Sequence, residues 1–217
     1  MRKNLPNLKS VGTFFLYLAL FLILFIALIL PKFIIFDKIL QKNGLYLIAS
    51  SVKETPISIT LKDTIIYTQS SALVRFDTLN VSLRPSGITL AGSCEGGSLK
   101  IHIKPSGIKS LNARDFKCLY QKGALRARLE FKKDGIMGQM SLEKFQAGSY
   151  KVEKLEIDFK NRVFVARAKL AGIELQGDGQ AVFNAKDPLQ SSLNGQLIAP
   201  GFRLIISGPL RSLNFSQ

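Results

Sequence analysis

From residue 45 to residue 206 the chain alternates apolar and polar positions with a period of two. Ile57, Ile59 and Leu61 are separated by Ser58 and Thr60, and Leu99, Ile101 and Ile103 by Lys100 and His102. Leu125, Ala127, Leu129 and Phe131 alternate with Arg126, Arg128 and Glu130; Leu155, Ile157 and Phe159 with Glu156 and Asp158; Ala166, Ala168 and Leu170 with Arg167 and Lys169. Phe202, Leu204 and Ile206 close the series. Successive side chains on a strand point to opposite faces, so each run predicts a half-buried antiparallel strand. The phase slips once within 74–84: Val74 and Phe76 are even, whereas Leu79, Val81 and Leu83 are odd. A bulge near Thr78 accounts for that. Turn residues separate the runs: Pro85-Ser86-Gly87, Gly96-Gly97, Pro105-Ser106-Gly107, Lys133-Asp134-Gly135, Asp187-Pro188 and Pro200-Gly201. Two of them share a context, SLRPSGI and HIKPSGI, which fits a weak internal repeat or ordinary turn chemistry. Residues 110–121 and 142–149 follow neither the strand nor the helix period.

Before residue 45 the pattern is different. Residues 11–30, VGTFFLYLALFLILFIALIL, carry no charge, and Lys9 and Lys32 bracket them. A helix over that interval would rise ~30 Å, at about 1.5 Å per residue, which matches the hydrocarbon layer of a bilayer. A soluble core helix would show a polar stripe, and none is present. The run exceeds a signal-peptide core and lacks an A-x-A exit, so an uncleaved signal anchor is expected. Phe33, Phe36, Ile39 and Leu40 then fall at helical spacing, with Gly44 as C-cap. Lys38 and Lys42 share one side of this short amphipathic helix, a placement suited to a headgroup layer. It could equally cap the first end of the β-structure. The expected organisation is a cytoplasmic basic leader at 1–10, a transmembrane anchor at 11–31, an interfacial helix at 32–44 and a periplasmic β-domain at 45–217.

Lysines and arginines flank the span almost equally, Arg2, Lys3 and Lys9 before it and Lys32, Lys38 and Lys42 after it. A short leader with a large following domain places the leader in the cytoplasm. The domain then lies outside it, in a bacterial periplasm on a single-pass inner-membrane protein.

The fold class expected is mainly β: one transmembrane helix, then an antiparallel sheet curved into a sandwich or an open half-barrel or groove. A sheet with one apolar face must cover it, and no helix of ten residues or more is legible after residue 44. The face closes on a second sheet, curls on itself, or stays open for an apolar ligand. An open groove would be lined by Leu99, Ile101, Leu125, Leu129, Leu155, Ile157 and Phe159. The inward phase of 172–185 is Ile173, Leu175, Gly177, Gly179, Ala181, Phe183 and Ala185, a run of small residues that permits sharp bending or close backbone approach.

Composition narrows the chemistry. The net charge is +15 over 217 residues, so the domain is basic in its own right and attracts anions: lipid heads, nucleic acid or acidic proteins. The chain has no Trp, and Phe carries the aromatic content at apolar positions. A stacking platform for single-stranded nucleic acid is therefore missing, and the membrane anchor favours lipid. His102 is the lone histidine and reads as a solvated strand residue between Lys100 and Lys104. No nucleophile–base arrangement or metal-ligand spacing is present, so neither catalysis, a cofactor nor a metal is expected. Glu156 and Asp158 read as an ion-pair face with Lys154 and Lys160. Cys94 and Cys118 are the only cysteines. In an oxidising compartment they could pair, closing a loop of about 25 residues worth ~3 kcal/mol; otherwise they are two small apolar residues.

The layout resembles a known family. A single span leads into FDKILQKNGL, then come strands such as ITLKDTIIY, the line LNVSLRPSGITLAGSCEGGSLKIHI, and a closing LIISGPLRSLNF. This is similar to protein N of bacterial type II secretion systems, and more broadly to AsmA-like envelope proteins. The Gly96-Gly97 turn into 99–103 and Gly208-Pro209-Leu210 are its most specific parts. The resemblance implies a non-enzymatic accessory or scaffold of an envelope machine, with other secretion-system proteins as partners and no nucleic acid. The membrane-anchored periplasmic subunit of lipopolysaccharide transport has the same layout. That resemblance implies a lipid-binding or lipid-transfer module with an apolar interior, its basic faces suited to lipopolysaccharide heads.

Overall fold

The computed structural model describes residues 13, 15–22, 25, 31–69, 71–119, 123–132, 135–147, 150–184, 191–209 and 214–216. The basic leader, much of 11–31 and the turn positions 133–134 and 187–188 lie outside them. Helix α1 (Lys32–Lys42) leads into β1 (Tyr46–Ile48), β2 (Ser51–Glu54), β3 (Ser58–Tyr67), β4 (Ala72–Arg84), β5 (Gly87–Cys94), β6 (Gly97–Lys104), β7 (Gly107–Phe116) and β8 (Ala124–Lys132). There follow β9 (Gly135–Ala147), β10 (Tyr150–Asn161), β11 (Val163–Leu170), β12 (Ile173–Val182), β13 (Ser192–Ala199), β14 (Phe202–Pro209) and β15 (Asn214–Ser216).

All fifteen strands form one antiparallel sheet. From β3 onward each strand pairs with the next in sequence, and β1 and β2 share the outer edge of β3. The sandwich alternative is thereby corrected: there is one sheet, not two. It is open, because β1 and β2 at one end do not pair with β15 at the other. The reason is local. Two-residue hairpins join Cys94 to Gly97 and Leu170 to Ile173. Their central residues, Glu95 and Gly96 (φ 48° and 78°) and Ala171 and Gly172 (φ 46° and 81°), are left-handed, which matches the strand twist. Loops this short leave a strand no choice but to pair with its predecessor.

The sheet is strongly curled. The Phe131 ring at the end of β8 stacks on Phe183, just past β12, with centroids 4.5 Å apart. Four strand spacings in a flat sheet would separate them by roughly 19 Å. Curling brings the apolar face onto itself, and the core runs from Ile59 to Ile206. One register row reads Ile59, Val81, Leu90, Ile101, Leu111, Leu129, Gly138, Phe159, Phe164, Gly179, Gly195 and Ile206. The two central glycines are needed for space: a Cβ on Gly179 or Gly195 would lie 2.6 or 2.8 Å from the Phe164 ring. The small inward residues of 172–185 thus form the floor under Phe164, which is 2% exposed. Ile173, counted with that inward phase, is half exposed instead, beside the Ala171-Gly172 turn.

A line of phase slips crosses the sheet. Buried Leu61 and Thr64 flank exposed Lys62 and Asp63; Phe76 and Leu79 flank Asp77 and Thr78; Ala113 and Phe116 flank Arg114 and Asp115; Val152 and Leu155 flank Glu153 and Lys154. On β9 the exposed Lys144 precedes buried Phe145 in the same way. Asp63, Asp115 and Lys144 take left-handed φ of 45°, 46° and 53°. The slip expected near Thr78 is one member of this line. The β3–β4 register is unbroken across it, Lys62 facing Thr78 and Thr64 facing Phe76, because both strands gain a residue together.

The bulges also explain the stretches without a period. Most of 110–121 is β7 and most of 142–149 is β9, each interrupted by its extra residue.

Candidate functional site: two faces and one end of the sheet

One end of the sheet is built around α1. Its entry residue Pro31 offers no side-chain cap. The cap comes from β2: Glu54 accepts hydrogen bonds from the Lys32 amide (Oε2, 2.9 Å) and the Phe33 amide (Oε1, 3.1 Å). A carboxylate there satisfies two orphan donors and meets the positive end of the helix dipole. Phe33 and Phe36 pack on the core, whereas Ile34, Ile35 and Ile39 are about half exposed. Lys38 and Lys42 are exposed beside these isoleucines, and Lys32, at the helix start, is half-buried. Ile39, grouped by spacing with the phenylalanines, therefore belongs to the outer stripe. Residues 13, 15–22 and 25 are helical, and Phe15, Leu16, Tyr17, Leu20 and Phe21 are each 58–69% exposed. Among the described residues no helix is long and apolar enough to cross a membrane.

The inner face holds the seven groove candidates, which divide into two sets. Leu129, Leu155, Ile157 and Phe159 are buried in the closed core. Leu99 and Leu125 are half-buried against it, together with Ile88, Leu90 and Leu111, and Ile101 is half-buried. The apolar face is thus most fully buried from β10 to β14 and only partly covered over much of β5 to β9.

Cys94 and Cys118 are joined by a disulfide across 24 residues, with Cα atoms 6.1 Å apart. The bond closes a gap at the line of bulges. β4 extends past the end of β5, and the segment after β7 fills that place: the Arg75 amide donates to the Cys118 carbonyl, and Val74 bridges Leu119.

The outer face is polar and forms a trough of about 1200 Å³ across β6 to β11. Period-two counting assigns its residues to the polar phase, but only the register shows which lie side by side. Asp115 and Glu143 both hold Arg126, at 2.5 and 3.1 Å. The Asp115 hydrogen bond, then the charges of Asp115 and Glu143, push the Arg126 guanidinium above its already high value. Lys154 pairs with Glu156 at 2.6 Å, and that hydrogen bond and charge raise its ammonium. His102 is not freely solvated: it is half-buried, with Nδ1 3.1 Å from the Oγ1 of buried Thr89. Among the described residues no group of three or more His, Cys, Asp or Glu could hold a metal ion.

No family model matches the chain, and no solved structure matches it. An uncharacterized protein of Aquifex aeolicus (strain VF5) is 30% identical over 217 residues, covering 98% of this chain and 98% of its own.

Proposed function

We propose a function for a family rather than for one chain, because this protein belongs to the same family as the uncharacterized Aquifex aeolicus protein and matches it nearly end to end. The reading is a non-enzymatic, single-pass protein of a bacterial inner membrane. Its β-domain stands in the periplasm as an accessory or scaffold of a type II secretion-like assembly. The observations that carry it are the exposed apolar side chains among residues 15–22 and 25 and the exposed isoleucines of α1, a helix held against the sheet edge by Glu54. Isoleucines flanked by Lys38 and Lys42 suit a helix lying in the headgroup layer. A partner would add to the far edge. Among the described residues β15 pairs with 205–207 of β14 alone, and the rest of that edge would be the template for an extended segment. A C-terminal alkaline phosphatase fusion tests the topology: it is active if the domain lies outside the cytoplasm, and an inactive fusion made at full length reverses the orientation. Crosslinking from Arg203 in living cells should capture one discrete envelope protein; a crosslink pattern unchanged when the site is moved to Lys132 removes the scaffold.

A second reading rests on the half-open strip of Leu90, Leu99, Ile101, Leu111 and Leu125. In it the curled sheet is an open half-barrel whose β5–β8 side admits one acyl chain, as in lipid-binding or lipid-transfer modules. Native mass spectrometry of the gently purified chain separates the two. Near-stoichiometric lipid that is lost in Ile101→Glu supports the carrier; lipid-free protein argues for the scaffold.

A further inference from the structure

The outer face carries cations of two kinds. Arg126 and Lys154 are neutralised by acids beside them, and so is Lys169, which reaches Glu153 at 3.5 Å. Among the described residues Lys100, Arg114 and Arg128 make no ion pair; Lys160 and Arg167 make none either, but they lie on the far side of the trough next to Asp158 and Glu156. The register neighbours of Lys100 (Ala91 and Asn112) and Arg128 (Asn112 and Gln139) are uncharged, as is Ser98 opposite Arg114 on β6; on the β8 side Arg114 sits in the register break beside Arg126. All three are exposed, on three consecutive strands, β6, β7 and β8. Lys100, Asn112 and Arg128 form one register row, and Arg114 lies two residues along from Asn112 on the same face.

The bulge at Asp115 matters here. It turns Arg114 and Asp115 to the same side, so that Asp115 is free to take Arg126 and leaves Arg114 without an acid. Three like charges on adjacent strands repel one another, and among the described residues no acid is paired with any of them to offset it. An apoprotein gains nothing from that arrangement. An anion seated among the three would reverse its sign.

We propose that Lys100, Arg114 and Arg128, grouped around the Asn112 amide, form a binding site for a phosphate group. Cross-strand neighbours lie about 5 Å apart, so the three residues sit within a footprint roughly 10 Å wide. That suits a compact dianion with several acceptor oxygens. Two guanidinium forks match phosphoryl oxygens, and the lysine adds a point charge. An extended acidic peptide would distribute its carboxylates beyond this footprint, onto Glu156 and Asp158 at the far side of the trough. The phosphate can come from a lipid headgroup or from a soluble phosphate. The site is independent of how the chain meets the membrane.

Titration calorimetry of the full chain in neutral detergent tests this with three probes: dihexanoyl phosphatidic acid, inorganic pyrophosphate and a glutamate decapeptide. The triple variant K100Q/R114Q/R128Q should weaken phosphate binding at least tenfold. The control K53Q/K109Q/K132Q removes the same charge outside the trough and should change it less than twofold. Phosphatidic acid binding more tightly than pyrophosphate assigns a lipid source, and the reverse order a soluble one; either supports the site. Equal weakening by the two triples, no phosphate binding at millimolar probe, or tighter binding of the decapeptide overturns it.

Discussion

Glu54 and Phe33 lie 21 residues apart and are joined by a 3.1 Å hydrogen bond, the carboxylate accepting from the helix amide. Its other oxygen takes the neighbouring Lys32 amide at 2.9 Å. A strand residue thus caps a helix that its own sequence leaves uncapped, and in doing so fixes the helix axis against the sheet. Glu54→Ala should lower unfolding stability by about 1 kcal/mol, the usual cost of losing a cap. Amide exchange should quicken at residues 32–35 while β9–β11 are unaffected. Unchanged exchange in that first turn refutes the capping role.

Thr64 is fully buried on the line of bulges, and its hydroxyl has no hydrogen-bond partner among the described residues. The extra residue at Asp63 turns a polar side chain into the core. Thr64→Val keeps the shape and removes the unsatisfied group, so it should stabilise the fold by about 1 kcal/mol. A higher urea midpoint with an unchanged slope is the expected reading.

Phe164 and Gly179 form a ring-over-glycine contact in the most tightly closed part of the sheet. Phe164→Ala should cost about 3–5 kcal/mol through lost burial and the cavity left behind. Gly179→Ala should also destabilise, because its new methyl meets the ring. In the Phe164→Ala background it should cost less, by at least about 0.5 kcal/mol. Additive losses would show that the glycine serves the backbone alone.

Reduction of the Cys94–Cys118 bond releases a loop of 24 residues and frees the segment that fills the end of β5. A loss of about 3 kcal/mol follows from loop entropy. The double variant C94A/C118A should match the reduced wild type, and reductant should leave the variant unaffected.

Lys154 is held above the ordinary lysine value of 10.5 by Glu156. Its folded value is raised, so the pair's contribution is complete below 10.5 and is lost as pH climbs through the elevated folded value. Lys154→Gln should flatten the stability profile in that alkaline window and leave it unchanged at neutral pH apart from a constant offset.

The strands with unbroken alternation, such as 125–131 and 155–159, were readable from their own residues, because period two reports directly which side is buried. β7 and β9 were not, since one extra residue at Asp115 or Lys144 cancels the alternation over a short window. The sheet count was also beyond local reading: a run facing inward looks the same whether it meets a second sheet or the curled remainder of its own. The groove candidates lie on one face, yet Leu129 is buried and Ile101 half-buried because of where the curl closes. The phosphate-site residues show the same limit. Lys100 and Arg128 read as polar positions of alternating strands, whereas Asn112 and Arg114 fell in a stretch without a period, and only cross-strand register makes the four neighbours.

Among the described residues each strand from β4 onward pairs only with those immediately before and after it in sequence. A sheet of this kind has low contact order and is able to grow in the direction of synthesis, every new hairpin finding its template already formed. It is also extensible: a hairpin inserted or deleted between two existing ones would change the span of the molecule without rewiring any other pairing. Such a protein can be fitted to a distance, and its length becomes a quantity that evolution is free to adjust one hairpin at a time.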